Sequence, residues 1–306
     1  MHPLFGNQRY YALHQYYKKT FGTRVMKAVI DGGFTCPNKD GTLSTGGCLF
    51  CDGGSGYFTG SGSVAEQLLA ERKRIQEKHP DSKLIAYFQA NTNTYAPLSV
   101  LREKYEEALS QPDVIGISIG TRADCISDEI LAYLAKLSER TWITVELGLQ
   151  TIHEDTAERM NLCCKRSTIE ACVKALKARG IRVCLHIING LPFETENQML
   201  ETVRTAGAWQ PDAVKIQMLH VIAGTALARM HQETSFPILS MEEYARLVVQ
   251  QLEYLPPQTV CERLTGDGDG AKLITPDWTR RKLLVLNRIS QLQKELHSFQ
   301  GKQYSC

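Results

Sequence analysis

Three cysteines stand close together in one glycine-rich segment: Cys36, Cys48 and Cys51, spaced C-x11-C-x2-C. Thiolates are soft ligands that suit iron and zinc. Three of them with no fourth cysteine nearby describe a metal centre with one position left open. A structural zinc site closes all four positions, whereas a catalytic iron–sulfur cluster needs one iron free for a non-protein ligand. Glycines at 32, 33, 41, 46, 47, 53, 54 and 56 surround the cysteines. They let the backbone wrap a bulky inorganic group in conformations that other residues resist. Two other chemistries compete for the same residues. Zinc held by the three cysteines and a fourth ligand such as Asp52 stays open on spacing alone. A thioredoxin-type pair, Cys48-Leu49-Phe50-Cys51, should open a helix, but Asp52-Gly53-Gly54 follows it, which disfavours that reading.

The chain of 306 residues carries ten cysteines and a net charge of +2. Residues 1–7 lack a charged stretch followed by an apolar one, so no secretory signal is expected and the cytoplasm is the expected location. No apolar run reaches membrane-span length. In a reducing compartment a disulfide framework is the weaker explanation for the cysteines. Cys172 and Cys184 fall in apolar periodic segments and are expected to pack as small hydrophobes. Cys125, Cys261 and Cys306 are scattered, and the pair Cys163-Cys164 could supply ligands of a second site, a reading disfavoured because no third ligand sits at metal spacing. The small net charge neither demands nor excludes a polyanionic partner. Two local basic segments stand out: Lys165, Arg166, Lys174, Lys177, Arg179 and Arg182, and then Arg280, Arg281 and Lys282. Each reads either as a solvated helix face or as a nucleic-acid footprint.

The elements that must position the cysteines alternate between strand and helix. Short apolar, β-branched runs recur near Arg24–Ile30, Lys83–Phe88, Val114–Ile119, Thr141–Leu147, Val183–Ile188 and Val214–Leu219, as strands buried on both faces should. Helical segments fall between them. Ser63-x-x-Glu66, Ser167-x-x-Glu170 and Ser240-x-x-Glu243 read as capping boxes, Pro97 suits a first helical turn, and Ser127 precedes another helix. Six such units imply a parallel sheet with crossover helices. A closed eight-unit barrel needs more than the roughly 190 residues between the first and last of these strands, so the fold class expected is α/β, a partial (βα)6 TIM-like barrel. The expected division is a helical lead-in over 1–22, the partial barrel over 23–235, and a C-terminal helical and strand extension over 236–306 that closes the barrel. That extension carries a strand near Thr259–Leu264 and a turn at Gly266-Asp267-Gly268-Asp269-Gly270. In such a sheet ligands bind beyond the carboxyl ends of the strands, and the cysteine loop follows the first strand at that end.

The loop resembles that of the radical S-adenosylmethionine (SAM) superfamily, lengthened from the usual C-x3-C-x2-C. The surrounding sequence is similar to the YhcC/YtqA-type family, whose radical domain is similar to the catalytic subunit of Elongator. The stretches that carry the resemblance include Asp31-Gly32-Gly33-Phe34-Thr35-Cys36-Pro37-Asn38, Phe88-Gln89-Ala90-Asn91-Thr92-Asn93-Thr94-Tyr95, Ile117-Ser118-Ile119-Gly120-Thr121-Arg122-Ala123-Asp124, Val145-Glu146-Leu147-Gly148-Leu149-Gln150 and His186-Ile187-Ile188-Asn189-Gly190-Leu191-Pro192. Leu219-His220-Val221-Ile222-Ala223-Gly224-Thr225 and Glu262-Arg263-Leu264-Thr265-Gly266-Asp267 follow in order.

The resemblance implies a [4Fe–4S] cluster on Cys36, Cys48 and Cys51, with the fourth iron binding the amino and carboxylate groups of SAM. One-electron reduction, from a donor such as flavodoxin or ferredoxin, then cleaves SAM to methionine and a 5′-deoxyadenosyl radical. Cofactor contacts are expected from Gln89, Asn91 and Asn93 (methionine ammonium, or else a polar turn) and from Glu146 and Gln150 (ribose or methionine end). Leu219 and Val221 are expected at the adenine, a role that core packing would also explain. Arg122 and Arg263 are candidates for an anionic substrate group or the SAM carboxylate, with a structural ion pair as the alternative. His186 and His220 read as hydrogen-bonded core histidines, with proton transfer the lesser reading.

The family association implies tRNA as partner and maturation of the wobble-uridine C5 side chain, from carboxymethylaminomethyl towards aminomethyl. The basic segments at 165–182 and 280–282 are the candidate tRNA contacts. Elongator-like proteins carry Asn-Arg-Gly-His after the segment matching Glu146 to Gln150, whereas this chain has Arg159-Met160-Asn161-Leu162-Cys163-Cys164, and it has no room for an acetyltransferase domain. Two alternatives stand beside this reading: a radical SAM enzyme acting on a peptide or small metabolite, and a zinc-stabilised RNA-binding protein without catalysis.

Overall fold

A computed structural model of the chain describes residues 3–52, 59–266 and 268–305. Gly53, Gly54, Gly56, Asp267 and Cys306, singled out above, lie outside the described residues. Six strands follow the predicted runs: β1 (Val25–Ile30), β2 (Lys83–Phe88), β3 (Val114–Thr121), β4 (Trp142–Gln150), β5 (Arg182–Asn189) and β6 (Ala213–Met218). They pair in chain order, all parallel, with registers such as Ala28↔Ala86, Ile117↔Ile143 and Ile187↔Ile216. The two-residue strand β7 (Val221–Ile222) leaves this sheet, but β8 (Val260–Arg263) returns to it and pairs in parallel with β6. The curled sheet therefore has seven strands rather than six, and the last is drawn from the C-terminal segment. Strands β1 and β8 are its two edges. A short β9 (Leu273–Thr275) pairs with β7 in antiparallel fashion.

Helices α2 (Val64–Gln76), α3 (Leu98–Leu109), α4 (Asp128–Ser138), α6 (Arg166–Lys177), α7 (Glu196–Ala208) and α9 (Met241–Glu253) account for the outer layer, with α10 (Lys282–Glu295) packed on α9. Between them lies a core dominated by Ile, Leu and Val, including Leu84, Ile117, Ile119, Val145, Val183 and Ile216 at no exposure, whose burial drives the sheet and helices together. The lead-in helix α1 (Leu13–Phe21) packs beneath the sheet, where Tyr17 and Phe21 meet Trp142 edge-on at the start of β4. The remaining two helices, α5 (Glu154–Arg159) and α8 (Ala226–Thr234), lie at the other end, after β4 and β7.

Local signals decide most boundaries. The Ser63/Glu66 and Ser240/Glu243 capping boxes form as expected, and Ser127 caps α4. Ser167/Glu170 does not. Helix α6 starts at Arg166, whose amide donates to Glu154 Oε1 on α5 at 2.9 Å, and Glu170 pairs with Lys174 at 2.6 Å instead. A carboxylate from the neighbouring helix satisfies the first free N–H and moves the cap upstream. Thr195 and Gln198 form a capping box on α7 in the same reciprocal manner.

Candidate functional site

The residues 31–52 leave β1 and fold back over the carboxyl ends of the strands. Consecutive Gly46 and Gly47 take φ of 83° and 77°, a left-handed pair that residues with a Cβ resist. This turn carries the chain from Cys36 to Cys48. The amides of Lys39 and Asp40 donate to Cys36 O, and Gly47 N donates to Asn38 O at 2.7 Å. From the end of β2, Asn91 Nδ2 donates to Phe34 O, and Lys39 Nζ donates to Asn91 Oδ1, both at 2.9 Å. The turn after α5 completes the clamp. Asn161 Nδ2 donates to Gly47 O at 2.8 Å, Asn38 Nδ2 donates to Asn161 O at 2.6 Å, and Leu49 N donates to Met160 O at 3.1 Å. The stretch 159–164, which departs from the Elongator pattern, is thus what holds the cysteine loop down.

Cys36, Cys48 and Cys51 line one cavity of about 230 Å³ together with Gln89, Asn91, Arg122, Gln150 and His186. Cys164, weighed from the sequence only as a ligand of a second site with Cys163, lines it as well. Burial, with Cys51 adding, pushes the Cys48 thiol up to about 12, while Asn38 Nδ2 lies 3.5 Å from its sulfur. The donor set tests what metal would fit. Sulfurs on one zinc ion stand about 3.8 Å apart, given a Zn–S bond near 2.3 Å in a tetrahedron. Among the described residues, the one group of three or more His, Cys, Asp or Glu ligand atoms all within 4.8 Å of one another is Glu146, Cys184 and His186. The three loop cysteine sulfurs do not all lie within that distance, so they are not gathered as a single zinc requires, and they share one cavity.

A second cavity of about 250 Å³ adjoins the first, sharing Cys51, Gln150, His186 and Gln217 with it, and continues past Leu219, His220 and Asp269. Here burial, with Lys282 adding, pushes the His220 imidazole down to about 4, and its buried Nε2 has no partner among the described residues. A Cβ on Gly266 would fall 2.5 Å from His220 Cε1, and one on Gly268 would fall 2.9 Å from Nδ1. The glycines of that turn are there so the chain can close over the ring. Gln150 ends β4 at φ 61° with its buried Oε1 unpartnered. A glutamine in the left-handed region is uncommon, and such positions gather at functional sites.

Below the cysteine cavity each strand of the sheet contributes one polar side chain to the lumen: Lys27, Tyr87, Ser118, Glu146, His186, Lys215 and Glu262. Glu146 is the hub. It accepts from Lys27 at 2.5 Å, Ser118 at 2.5 Å, Tyr87 at 2.9 Å, His186 Nε2 at 2.6 Å, and also from Lys215. Lys27 bridges on to Glu262 at 2.6 Å. Burial alone would raise the Glu146 carboxyl; Lys215, then Lys27 and His186, outweigh it and hold it well below the carboxylate range. Burial likewise opposes the charge on Lys27, but Glu146 and Glu262 hold its ammonium well above the usual range. A larger cavity of about 1020 Å³ opens between the edge strands, lined by Lys27, Tyr87, Gln89, Lys215, Glu262 and Arg263 among others. Tyr87, Gln89 and Arg263 line it and the cysteine cavity alike.

The residues expected at the site are distributed as follows. Gln89, Asn91, Gln150, Arg122, Arg263 and Glu146 line the cysteine cavity, and Leu219 lines its neighbour. Glu146 spends its carboxylate on the five donors just named. Asn93 is fully buried and ties β2 to β3 through Phe88 O and Gly120 O. Val221 is fully buried in an apolar cluster with Met160, Leu191 and Leu227. Arg122 donates to Asp124, Leu162 O and Cys163 O, so it fastens the 159–164 turn. The basic segment 165–182 is split along α6. Lys165 lies at the cavity end beside Cys164, while Arg182 sits at the other end, stacked on Tyr16 and 3.9 Å from Asp212. Lys27, Lys215 and Glu262 escaped the sequence reading. The available signal was a lysine in the middle of an apolar strand, which must find a buried counter-charge.

Comparison with known proteins bears on both fold and site. The profile of the radical SAM superfamily matches residues 42–206, and that of the radical SAM C-terminal domain matches residues 211–295. The first match begins after Cys36 and so takes in only two of the three loop cysteines. The protein YtqA of Bacillus subtilis is 44% identical over 96% of this chain and 92% of its own length, and YhcC of Escherichia coli K12 is 31% identical over 92% and 91%. A tRNA uridine(34) acetyltransferase of Methanocaldococcus infernus is 25% identical over 81% of this chain and 53% of its own length. Among solved structures, Elp3 of M. infernus superposes with a TM-score of 0.64 at 19% identity, covering 90% of this chain and 64% of that one, a likeness of fold.

Proposed function

The chain is an enzyme of the radical SAM superfamily, of the YtqA/YhcC family within it, with that superfamily's [4Fe–4S] cluster and SAM as cofactors, and from this premise we propose that it modifies tRNA at the wobble uridine. The observation that carries the reading is the cysteine cavity itself: three thiols on one clamped loop, opening onto strand-end amides and a second cavity. Cys36, Cys48 and Cys51 would hold the cluster. Gln89, Asn91 and Gln150 would meet SAM, with Leu219 beside the adenine. Bound there, the two cofactors supply a 5′-deoxyadenosyl radical able to take a hydrogen atom from a substrate. The protein's part is to orient the groups and exclude water, and the buried polar layer beneath the cavity gives that pocket a rigid floor.

The tRNA assignment is supported by the similarity to an enzyme whose name places its reaction at uridine 34 of tRNA. The chain spans about half of that relative, so its acetyl transfer is not carried over. The proposed reaction is conversion of a carboxymethylaminomethyl group at uridine C5 towards aminomethyl: hydrogen abstraction at the carboxyl-bearing carbon beside the amine, loss of one further electron to a one-electron acceptor to give an imine, and hydrolysis of that C–N bond, which frees the amine and releases the two carbons as glyoxylate. A one-electron donor such as flavodoxin or ferredoxin would serve it. The lateral cavity between β1 and β8 gives a nucleotide a way to the lumen, and Lys165, Arg166 and the Arg280–Lys282 segment are the basic groups placed to meet backbone phosphates. The test is incubation of reconstituted enzyme, SAM and reductant with tRNA from cells lacking the gene, followed by nucleoside mass spectrometry. Loss of the carboxymethyl mass from the wobble nucleoside supports the reading; an unchanged nucleoside pool beside active SAM cleavage refutes it.

A further inference from the structure

Glu146 does more to His186 than pair with it. The contact is His186 Nε2 to Glu146 Oε2 at 2.6 Å, and a carboxylate can only accept, so Nε2 carries the proton. In a neutral imidazole the other nitrogen is then a bare lone pair. Burial, then Lys215, with Arg263 adding, disfavours a second proton on this ring, against the pull of Glu146. The charged and titratable groups gathered around it are Lys27 on β1, Tyr87 on β2, Glu146 on β4, Cys184 on β5 itself, Lys215 on β6, and Glu262 and Arg263 on β8. Among the described residues Nδ1 has no hydrogen-bond partner, whereas Lys27, Tyr87, Ser118 and Lys215 all donate to Glu146. His186 also lines both upper cavities, and its side chain keeps 20% of its exposure.

We infer that His186 Nδ1 is a recognition site for the substrate: a fixed acceptor for an N–H or O–H group, held in that tautomer by Glu146. The inference rests on the reading that the joined cavities are the reaction site. Substrate rather than SAM is favoured by the neighbours of the ring. Lys27, Tyr87 and Lys215 of its layer line the lateral cavity while His186 itself does not, so a group entering between β1 and β8 reaches the histidine past Tyr87, which lines both the lateral and the cysteine cavity. An amine or a ring N–H would satisfy it, and a purely accepting group would not. No proton needs to move, because the site recognises a donor and stays neutral.

Two measurements test this. The first is nitrogen-detected NMR of reconstituted protein labelled with ¹⁵N-histidine at neutral pH, with a His186→Gln sample to assign the signals. A protonated Nε2 and a bare Nδ1 at His186 are expected; the reverse tautomer or an imidazolium would overturn the proposal. The second is the kinetics of His186→Leu on tRNA. A rise in KM of about tenfold, the worth of one hydrogen bond, is expected, with a smaller change in kcat and partial recovery in His186→Gln, whose amide both donates and accepts. A KM unmoved in His186→Leu, or a loss confined to SAM affinity, would overturn it. Wild-type protein that cleaves SAM but leaves tRNA untouched, with the expected tautomer in place, refutes the tRNA reading while the acceptor itself stands confirmed by NMR.

Discussion

Glu146 and Gln150 lie four residues apart on one strand and are treated in opposite ways. Glu146 takes hydrogen bonds from five side chains at mid-barrel, whereas Gln150, at the strand end, keeps a buried carbonyl oxygen that nothing among the described residues meets. His220 repeats the pattern at the rim with its unpartnered Nε2. A buried polar atom without a partner is costly and persists where a ligand will supply one. Glu146 is therefore framework, whereas Gln150 and His220 hold free polar atoms at the rim of the joined cavities, although Glu146 and Gln150 line the same cavity.

The largest effect expected from breaking this contrast is at the framework. Glu146→Gln leaves Lys27 and Lys215 short of a counter-charge and should cost about 3–5 kcal/mol, as for breaking other buried pairs, measurable by denaturant unfolding. The Glu146 carboxyl is held well below its unfolded value. Its contribution is therefore present above the unfolded carboxylate pKa and is lost as pH falls through the folded one. The stability gap between wild type and Glu146→Gln should narrow in acid, and a gap that widens would contradict the assignment. Next comes the clamp. Asn161→Ala removes the bonds to Gly47 O and Ser44 Oγ and should cost about 1–2 kcal/mol. The variant should also lose iron faster under chelation. Iron retention equal to that of wild type would show that the loop does not need the turn.

At the unsatisfied level the expectation reverses. Gln150→Gly suits φ 61° without strain, so stability should stay within about 0.5 kcal/mol of wild type, while SAM binding by equilibrium dialysis should weaken about tenfold. Unchanged affinity would move Gln150 out of the cofactor site. The smallest effect sharpens the comparison across α6. Charge reversal at Lys165 and Arg166, at the cavity end, should weaken tRNA binding and flatten its salt dependence, each lost phosphate contact lowering the slope by about 1. Reversal at Lys174, on the same helix but paired with Glu170, should do neither. Equal effects at both places would remove the polarity of the surface.

The cysteine loop was legible because its information is local: ligand type, spacing and surrounding glycines all sit within some twenty residues of chain. The strands were legible as apolar runs, down to both ends of β2 and to within one residue at each end of β6. The lumen layer was not, because Lys27 and Lys215 each read as a single interruption in an apolar run, and what makes them tolerable, Glu146 and Glu262, is distant in sequence and near only once the sheet curls. The same reason hid the place of β8: its strand signal was visible, but its pairing with β6 depends on the chain returning after α8 and α9. Ser167-x-x-Glu170 misled for a different reason. The motif was complete, yet Glu154 on a neighbouring helix reached the first amide and set the boundary upstream. His186 was visible as a residue, but its tautomer follows from a contact that only the fold makes.

The most direct test of the account is anaerobic reconstitution with iron and sulfide, then reduction in the presence of SAM and assay for 5′-deoxyadenosine, with Cys36→Ala, Cys48→Ala and Cys51→Ala alongside. A cluster absorbance and 5′-deoxyadenosine are expected from the wild type and neither from any of the three variants. A wild type that binds zinc at one per chain and no iron, or a cluster that leaves SAM intact in the presence of tRNA, would contradict it.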